Sequence, residues 1–166
     1  SNYMIPIMVT LQSIFTHHNN INVYLCFLEE NLKEEDINTL SQFTKLNNSN
    51  LYPLKISYEQ LHNLPDTRHG KTTLLRLYLP QLLPNINKIL YLDGDIVIND
   101  KLSELYNIDL ENNYIAASKD TAPLYHPDRI RDLEISNTHW YFNAGITLMN
   151  LEALRKIDLS KKIHDY

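Results

Sequence analysis

The chain has 166 residues, 43% of them hydrophobic, and 15 basic against 20 acidic side chains give it a net charge of −5. That is enough to bury one sizeable core and too little for two independent ones, so residues 1–166 read as a single domain. The acidic balance without a Lys/Arg cluster argues against a nucleic-acid partner, no apolar run reaches the length of a transmembrane segment, and the lone Cys26 excludes an internal disulfide. A single cysteine in an apolar run points to a reducing compartment, and the opening residues do not read as a signal peptide, so the expected location is the cytoplasm.

From Tyr3 to Phe15 apolar residues recur at three and four, the spacing of a helix with one buried face, with Asn2 placed to cap it. The pair His17-His18 reads as a solvated helix end. Asn22 to Leu28 reads as a strand. A helix follows from about Lys33 to Phe43, opening with Glu34, Glu35 and Asp36, which suit its positive end. Leu51 to Ile56 is a second strand, Ser57 to Leu61 a short helix, and 64–70 a loop. The leucine pattern from Thr72 to Leu83 predicts a helix that Pro80 should kink or shorten. Ile86 to Leu92 is a buried strand, Leu102 to Tyr106 a helical turn, Tyr114 to Ser118 a strand and 122–138 a long irregular segment. Tyr141 to Met149 is the last strand, and Leu151 to Ile157 and Ser160 to Tyr166 are helices. Alternation of strands and helices predicts an α/β layer with a mainly parallel central sheet, whose ligands gather at the carboxyl ends of strands.

The run Ile89-Leu90-Tyr91-Leu92 breaks into Asp93-Gly94-Asp95. Side chains two apart on a strand share a face, so Asp93 and Asp95 should point together. Two carboxylates at the exposed end of a buried strand repel each other unless a cation sits between them. Oxygen-only ligation favours a hard divalent ion, Mn²⁺ or Mg²⁺, over zinc. The competing reading is a plain hairpin, because Asp-Gly between two apolar runs is a turn signal in its own right.

Four motifs in one order, Leu74-Leu75-Arg76-Leu77-Tyr78, Ile89 to Asp95, Ala116-Ala117-Ser118-Lys119-Asp120 and Phe142-Asn143-Ala144-Gly145 through Leu151, resemble the family-8 retaining glycosyltransferases of GT-A fold, which include bacterial lipopolysaccharide galactosyl- and glucosyltransferases. The resemblance runs from Asn2-Tyr3 to the helix after Asn150. It implies a GT-A-type α/β/α sandwich and transfer of galactose or glucose, with retention, from UDP-galactose or UDP-glucose to a hydroxyl of a glycan or lipid-linked glycan acceptor such as lipopolysaccharide. It further implies Mn²⁺ held by Asp93 and Asp95, and Asp120 facing the acceptor sugar. Asn2, Tyr3, Arg76, Gly94, Asn143, Ala144 and Gly145 are then the donor-binding residues. The family's first strand, with an Asp just before the Asn-Tyr pair, is not found here. Its later Asp-Gln-Asp segment, metal-binding His and basic C-terminal tail are not found either. The chain is therefore expected to be the core of a longer protein, peripheral at the inner membrane in its full-length form. A truncated UDP-sugar- and metal-binding module without turnover is the alternative. A nucleotidyltransferase metal pair is a third reading, against which the Asn143-Ala144-Gly145 run weighs.

Overall fold

The computed structural model describes residues 2–61, 71–121 and 141–157, with 125, 159 and 162. The loops expected at 64–70 and 122–138 and the last helix at 160–166 fall largely or wholly outside these. Helix α1 (Met4–His17) buries Thr10, Leu11 and Ile14 along one face, as the periodicity predicts. Asn2 does not cap it. The helix starts so that Tyr3 is the N-cap residue, already in right-handed helical geometry at φ −84° and ψ −17°, and no side chain caps it. Asn2 is thereby left one position too early for a capping bond.

Strand β1 (Asn22–Leu28) pairs in parallel with β2 (Asn50–Ile56), and α2 (Glu34–Leu46) makes the crossover between them. This is the strand, helix, strand unit expected from sequence. Asp36 accepts the backbone N–H of Lys33 at 2.9 Å, closing the first turn of α2. Leu40 is fully buried against Leu11, Phe27 and Leu32, which fastens α1 and α2 to the same side of β1.

The leucine-rich helix expected over Thr72 to Leu83 is two elements. A 3₁₀ stretch covers Lys71–Tyr78, and α3 (Leu79–Leu82) begins afresh with Pro80 in its first turn. Proline lacks the N–H that an uninterrupted helix needs and its ring would strike the carbonyl of Arg76, so the helix restarts where proline is tolerated. Leu75 and Leu79 still point into the core.

Strand β3 (Lys88–Leu92), the short α4 (Ser103–Asn107), β4 (Ile115–Lys119), β5 (Phe142–Asn150) and α5 (Leu151–Lys156) complete the described chain. The α/β class stands, but the sheet is not mainly parallel among the described residues. β5 lies between β3 and β4 and runs antiparallel to both, forming a three-stranded sheet beside the parallel pair. Thr147, Leu148 and Met149 of β5 are buried, so the last strand in sequence fills the middle of its sheet. The hairpin reading of Asp93-Gly94-Asp95 fails, because β3 pairs with β5 and residues 96–98 form no strand.

Candidate active site

The site is built on the ladder between β3 and β5. Their register sets Tyr91 opposite Thr147 and Leu92 opposite Ile146, and the next residue continues the ladder, with Asp93 N–H donating to Gly145 O at 2.8 Å. On its other edge β5 is irregular. Between the pairs Ala117–Thr147 and Lys119–Phe142, β4 advances two residues while β5 advances five. Asn143, Ala144 and Gly145 occupy that bulge, the kind of local kink that turns strand residues toward a site. Within it, Asn143 Oδ1 accepts the Gly145 N–H at 2.9 Å.

Three bonds from α1 and its C-cap residue His18 fix the segment that follows. Thr10 Oγ1 donates to Ile96 O at 2.8 Å, Ser13 Oγ accepts from Ile98 N at 2.9 Å, and His18 Nε2 accepts from Leu102 N at 2.7 Å. His18 is thus a tether for the chain leaving the Asp motif, where a solvated helix end was expected. Ile7 of the same helix comes so close that a Cβ on Gly94 would stand 3.3 Å from its Cγ1. The absent side chain at 94 admits α1 to the motif.

Arg76 is drawn into this cluster. Its Nε donates to Thr73 O at 2.9 Å, its Nη1 to Ala144 O, and its Nη2 lies 3.2 Å from Asp93 Oδ1. The Arg76 side chain is 15% exposed and Asp93 35%, so the ion pair is shielded but not sealed. The guanidinium also sits 4.6 Å from the ring centre of Tyr91, whose hydroxyl donates to Asp93 Oδ1 at 2.6 Å. Burial, with the hydrogen bond to Asp93 second, pushes the Tyr91 hydroxyl well above the usual phenol range, so it stays protonated and a donor at neutral pH. Tyr91 and Thr73 were not singled out from sequence. Tyr91 looked like one more apolar residue of a buried strand, and the only available signal was its position two before Asp93, on the same face.

A cavity of about 630 Å³ brings together Arg76, Asp93, Asp95, Asn143, Ala144 and Gly145, a size suited to a small-molecule ligand. Asn2 and Tyr3 line a neighbouring, mostly apolar cavity of about 960 Å³ that also reaches Asp93, Gly94 and Asp95. Asp120 lines neither. It follows β4, with its N–H donating to Tyr141 O at 3.1 Å, near the start of β5.

Among the described residues no three His, Cys, Asp or Glu side chains gather as a metal cluster. Asp93 and Asp95 supply two carboxylates on one cavity. Oδ1 of Asp93 is taken by Tyr91 and Arg76, whereas Oδ2 accepts no hydrogen bond among the described residues and Asp95 is exposed. Two carboxylates on one cavity, with oxygens left outside these bonds, fit a hard divalent cation that fills its other positions with water or phosphate oxygens.

The sequence profile of glycosyl transferase family 8 matches residues 1–166. The chain belongs to glycosyl transferase family 8. Over 166 residues it is 25% identical to lipopolysaccharide 1,2-glucosyltransferase of Escherichia coli, covering 98% of this chain and 48% of that protein. It is likewise 25% identical over 175 residues to glycosyltransferase GlyE of Streptococcus pneumoniae, covering 98% and 38%. Its fold superposes on galactosyltransferase LgtC, crystallised with donor and acceptor sugar analogues, with a TM-score of 0.84 at 26% identity, over 96% of this chain and 58% of LgtC. The architecture is that of the GT-A glycosyltransferases. This family-8 chain spans about half the length or less of these curated relatives, and no helix among its described residues is long and apolar enough to cross a membrane.

Proposed function

We propose that this family-8 protein transfers galactose or glucose, with retention, from a UDP-sugar to a hydroxyl of a glycan acceptor, lipopolysaccharide or a lipid-linked precursor, at the cytoplasmic face of the inner membrane. The observation that carries the reading is the convergence of Asp93, Asp95, Arg76 and the Asn143–Gly145 bulge on one cavity at the ends of β3 and β5. Asp93 and Asp95 would hold Mn²⁺, or Mg²⁺, which when bound supplies Lewis-acid neutralisation of the charge on a departing diphosphate. Arg76 adds a fixed positive charge at the same place. The bulge presents the Asn143 amide, a donor suited to sugar hydroxyls. Asn2, Tyr3 and Gly94 border the neighbouring cavity that reaches the acid pair, the side on which we place the uridine. Asp120, at the far end of the bulge, is assigned to the acceptor.

Retention requires either a covalent glycosyl intermediate or attack from the face that UDP leaves. We favour same-face attack, which depends mainly on positioning and charge neutralisation, the two things this cluster provides. The second reading, a module that binds UDP-sugar without turnover, is favoured by the presence of only two gathered carboxylates among the described residues. Transfer assays with radiolabelled UDP-galactose and UDP-glucose, run on the 166-residue chain and on a longer natural product, separate the two. Transfer that is lost in Asp95→Asn supports the enzyme. Metal-dependent UDP binding without transfer at either length supports the module.

A further inference from the structure

The two oxygens of Asp93 have different surroundings. Oδ1 accepts the Tyr91 hydroxyl at 2.6 Å and faces Arg76 Nη2 at 3.2 Å. Oδ2 lies over the backbone of β5, where a Cβ on residue 145 would stand only 2.8 Å away, and it accepts no hydrogen bond among the described residues. A carboxylate so held cannot turn about its last torsion without breaking a short bond between a partly buried donor and an ionised acceptor. The arrangement is also local to the end of β3 and the residue that follows it. Residues 91 and 93 project to one face, and Arg76 lies over the Tyr91 ring at 4.6 Å, so one tyrosine orients both the acid and its cationic partner.

We propose that Tyr91 is a positioning residue for the metal-binding carboxylate: it ties Oδ1 of Asp93 into the protein so that Asp93 meets a divalent cation through Oδ2 alone. This rests on the reading of Asp93 and Asp95 as the cation pair. A ligand with one oxygen already committed is oriented before the cation arrives, so less of the binding free energy is lost in ordering it. Arg76 alone would not do this, because its Nη2 contact is longer and its other nitrogens are engaged by Thr73 and Ala144.

Tyr91→Phe keeps the ring, its packing and the contact with Arg76, and removes only the hydroxyl. Mn²⁺ affinity is read by electron paramagnetic resonance of the free ion with UDP at saturation, and thermal melting is followed on the same samples. The expected result is Mn²⁺ binding about tenfold weaker, with melting and metal-free UDP binding unchanged, since outer partners of metal ligands contribute factors of about 10–100 in metal affinity. In an Asp93→Asn background Tyr91→Phe should add less than about twofold, because its partner has already been altered. A tenfold loss that persists in that background overturns the proposal. Mn²⁺ binding that is lost in Asp95→Asn yet unchanged in Tyr91→Phe overturns the tyrosine's role alone. Failure of the unaltered protein to bind Mn²⁺ overturns this role and the metal reading together.

Discussion

Gly145 is the residue at which the fold and the site are least separable. A Cβ there would meet Oδ2 of Asp93 at 2.8 Å and Oδ1 of Asn143 at 3.2 Å, and neither is the end of a long flexible side chain. Gly145→Ala should therefore displace the Asp93 carboxylate and lower metal-dependent UDP affinity by roughly tenfold or more, by analogy with loss of an outer partner of a metal ligand. Calorimetric titration of UDP with and without Mn²⁺ checks it, and an unchanged difference between the two titrations contradicts the role. Asp95 has no such structural duty, since it is exposed at the end of a turn. Asp95→Asn should leave the melting temperature within about 1 °C, as expected for a surface change, while reducing transfer by orders of magnitude. Cys26 tests burial rather than the site's chemistry, although it packs against the same apolar cluster as Tyr91. Burial pushes its thiol up to about 12 from 9.0. Its thiolate is then scarce at pH 8, and its reaction with a disulfide reagent should be at least roughly a hundredfold slower in the folded protein than in denaturant. The raised value also means that this group disfavours the folded state only as pH climbs above about 9, where the unfolded thiol ionises first.

At the scale of elements, the connection between the 3₁₀ stretch and β3 is stapled by one residue of the last described helix. Arg155 Nη1 donates to Pro80 O at 3.2 Å, Leu83 O at 3.0 Å and Ile86 O at 3.0 Å, and Nη2 to Asn87 Oδ1 at 3.1 Å. These carbonyls include those at the end of α3, which has only one turn in which to satisfy them. Arg155→Met keeps the aliphatic stem and leaves the acceptors without their charged donor, at a cost of about 2 kcal/mol. For a chain of this size that corresponds to a fall of roughly 6 °C in Tm, readable by circular dichroism. Asn150→Ala tests the start of the same helix, where Asn150 Oδ1 accepts the Ala153 N–H at 3.0 Å. Loss of that cap should cost about 1 kcal/mol. Neither side chain lines either cavity, so UDP affinity should hold at temperatures where the protein remains folded.

At the scale of the whole molecule, the α1 tethers, the β3–β5 ladder and the 3₁₀ stretch meet at the carboxyl end of β3, and each delivers part of the site. On the proposed reading Mn²⁺ should stabilise the folded protein only when UDP is present, because the two carboxylates gathered among the described residues would leave most of the ion's coordination to diphosphate and water. A melting series with Mn²⁺, UDP and both should give a shift for the pair larger than the sum of the separate shifts. An additive result would mean that nucleotide and metal do not share the cavity.

The Asp93-Gly94-Asp95 break, the parallel β1–α2–β2 unit and the positions of nearly all described elements were legible in the sequence, because periodicity and turn chemistry act over a few residues. The resemblance of the four ordered motifs carried Arg76 and Asn143–Gly145 into the same reading. What neighbouring residues cannot specify is which distant strand supplies a hydrogen-bonding partner, since the backbone ladder is the same for every side chain. Only the tertiary structure therefore decided that β5 enters between β3 and β4 in antiparallel fashion. Only that pairing turns Gly145 from a permissive backbone into the space that Asp93 occupies. The tie from Tyr91 to Asp93 is local in sequence, but it became visible only when burial closed the other outlets for that hydroxyl and Arg76, from a different element, covered its ring.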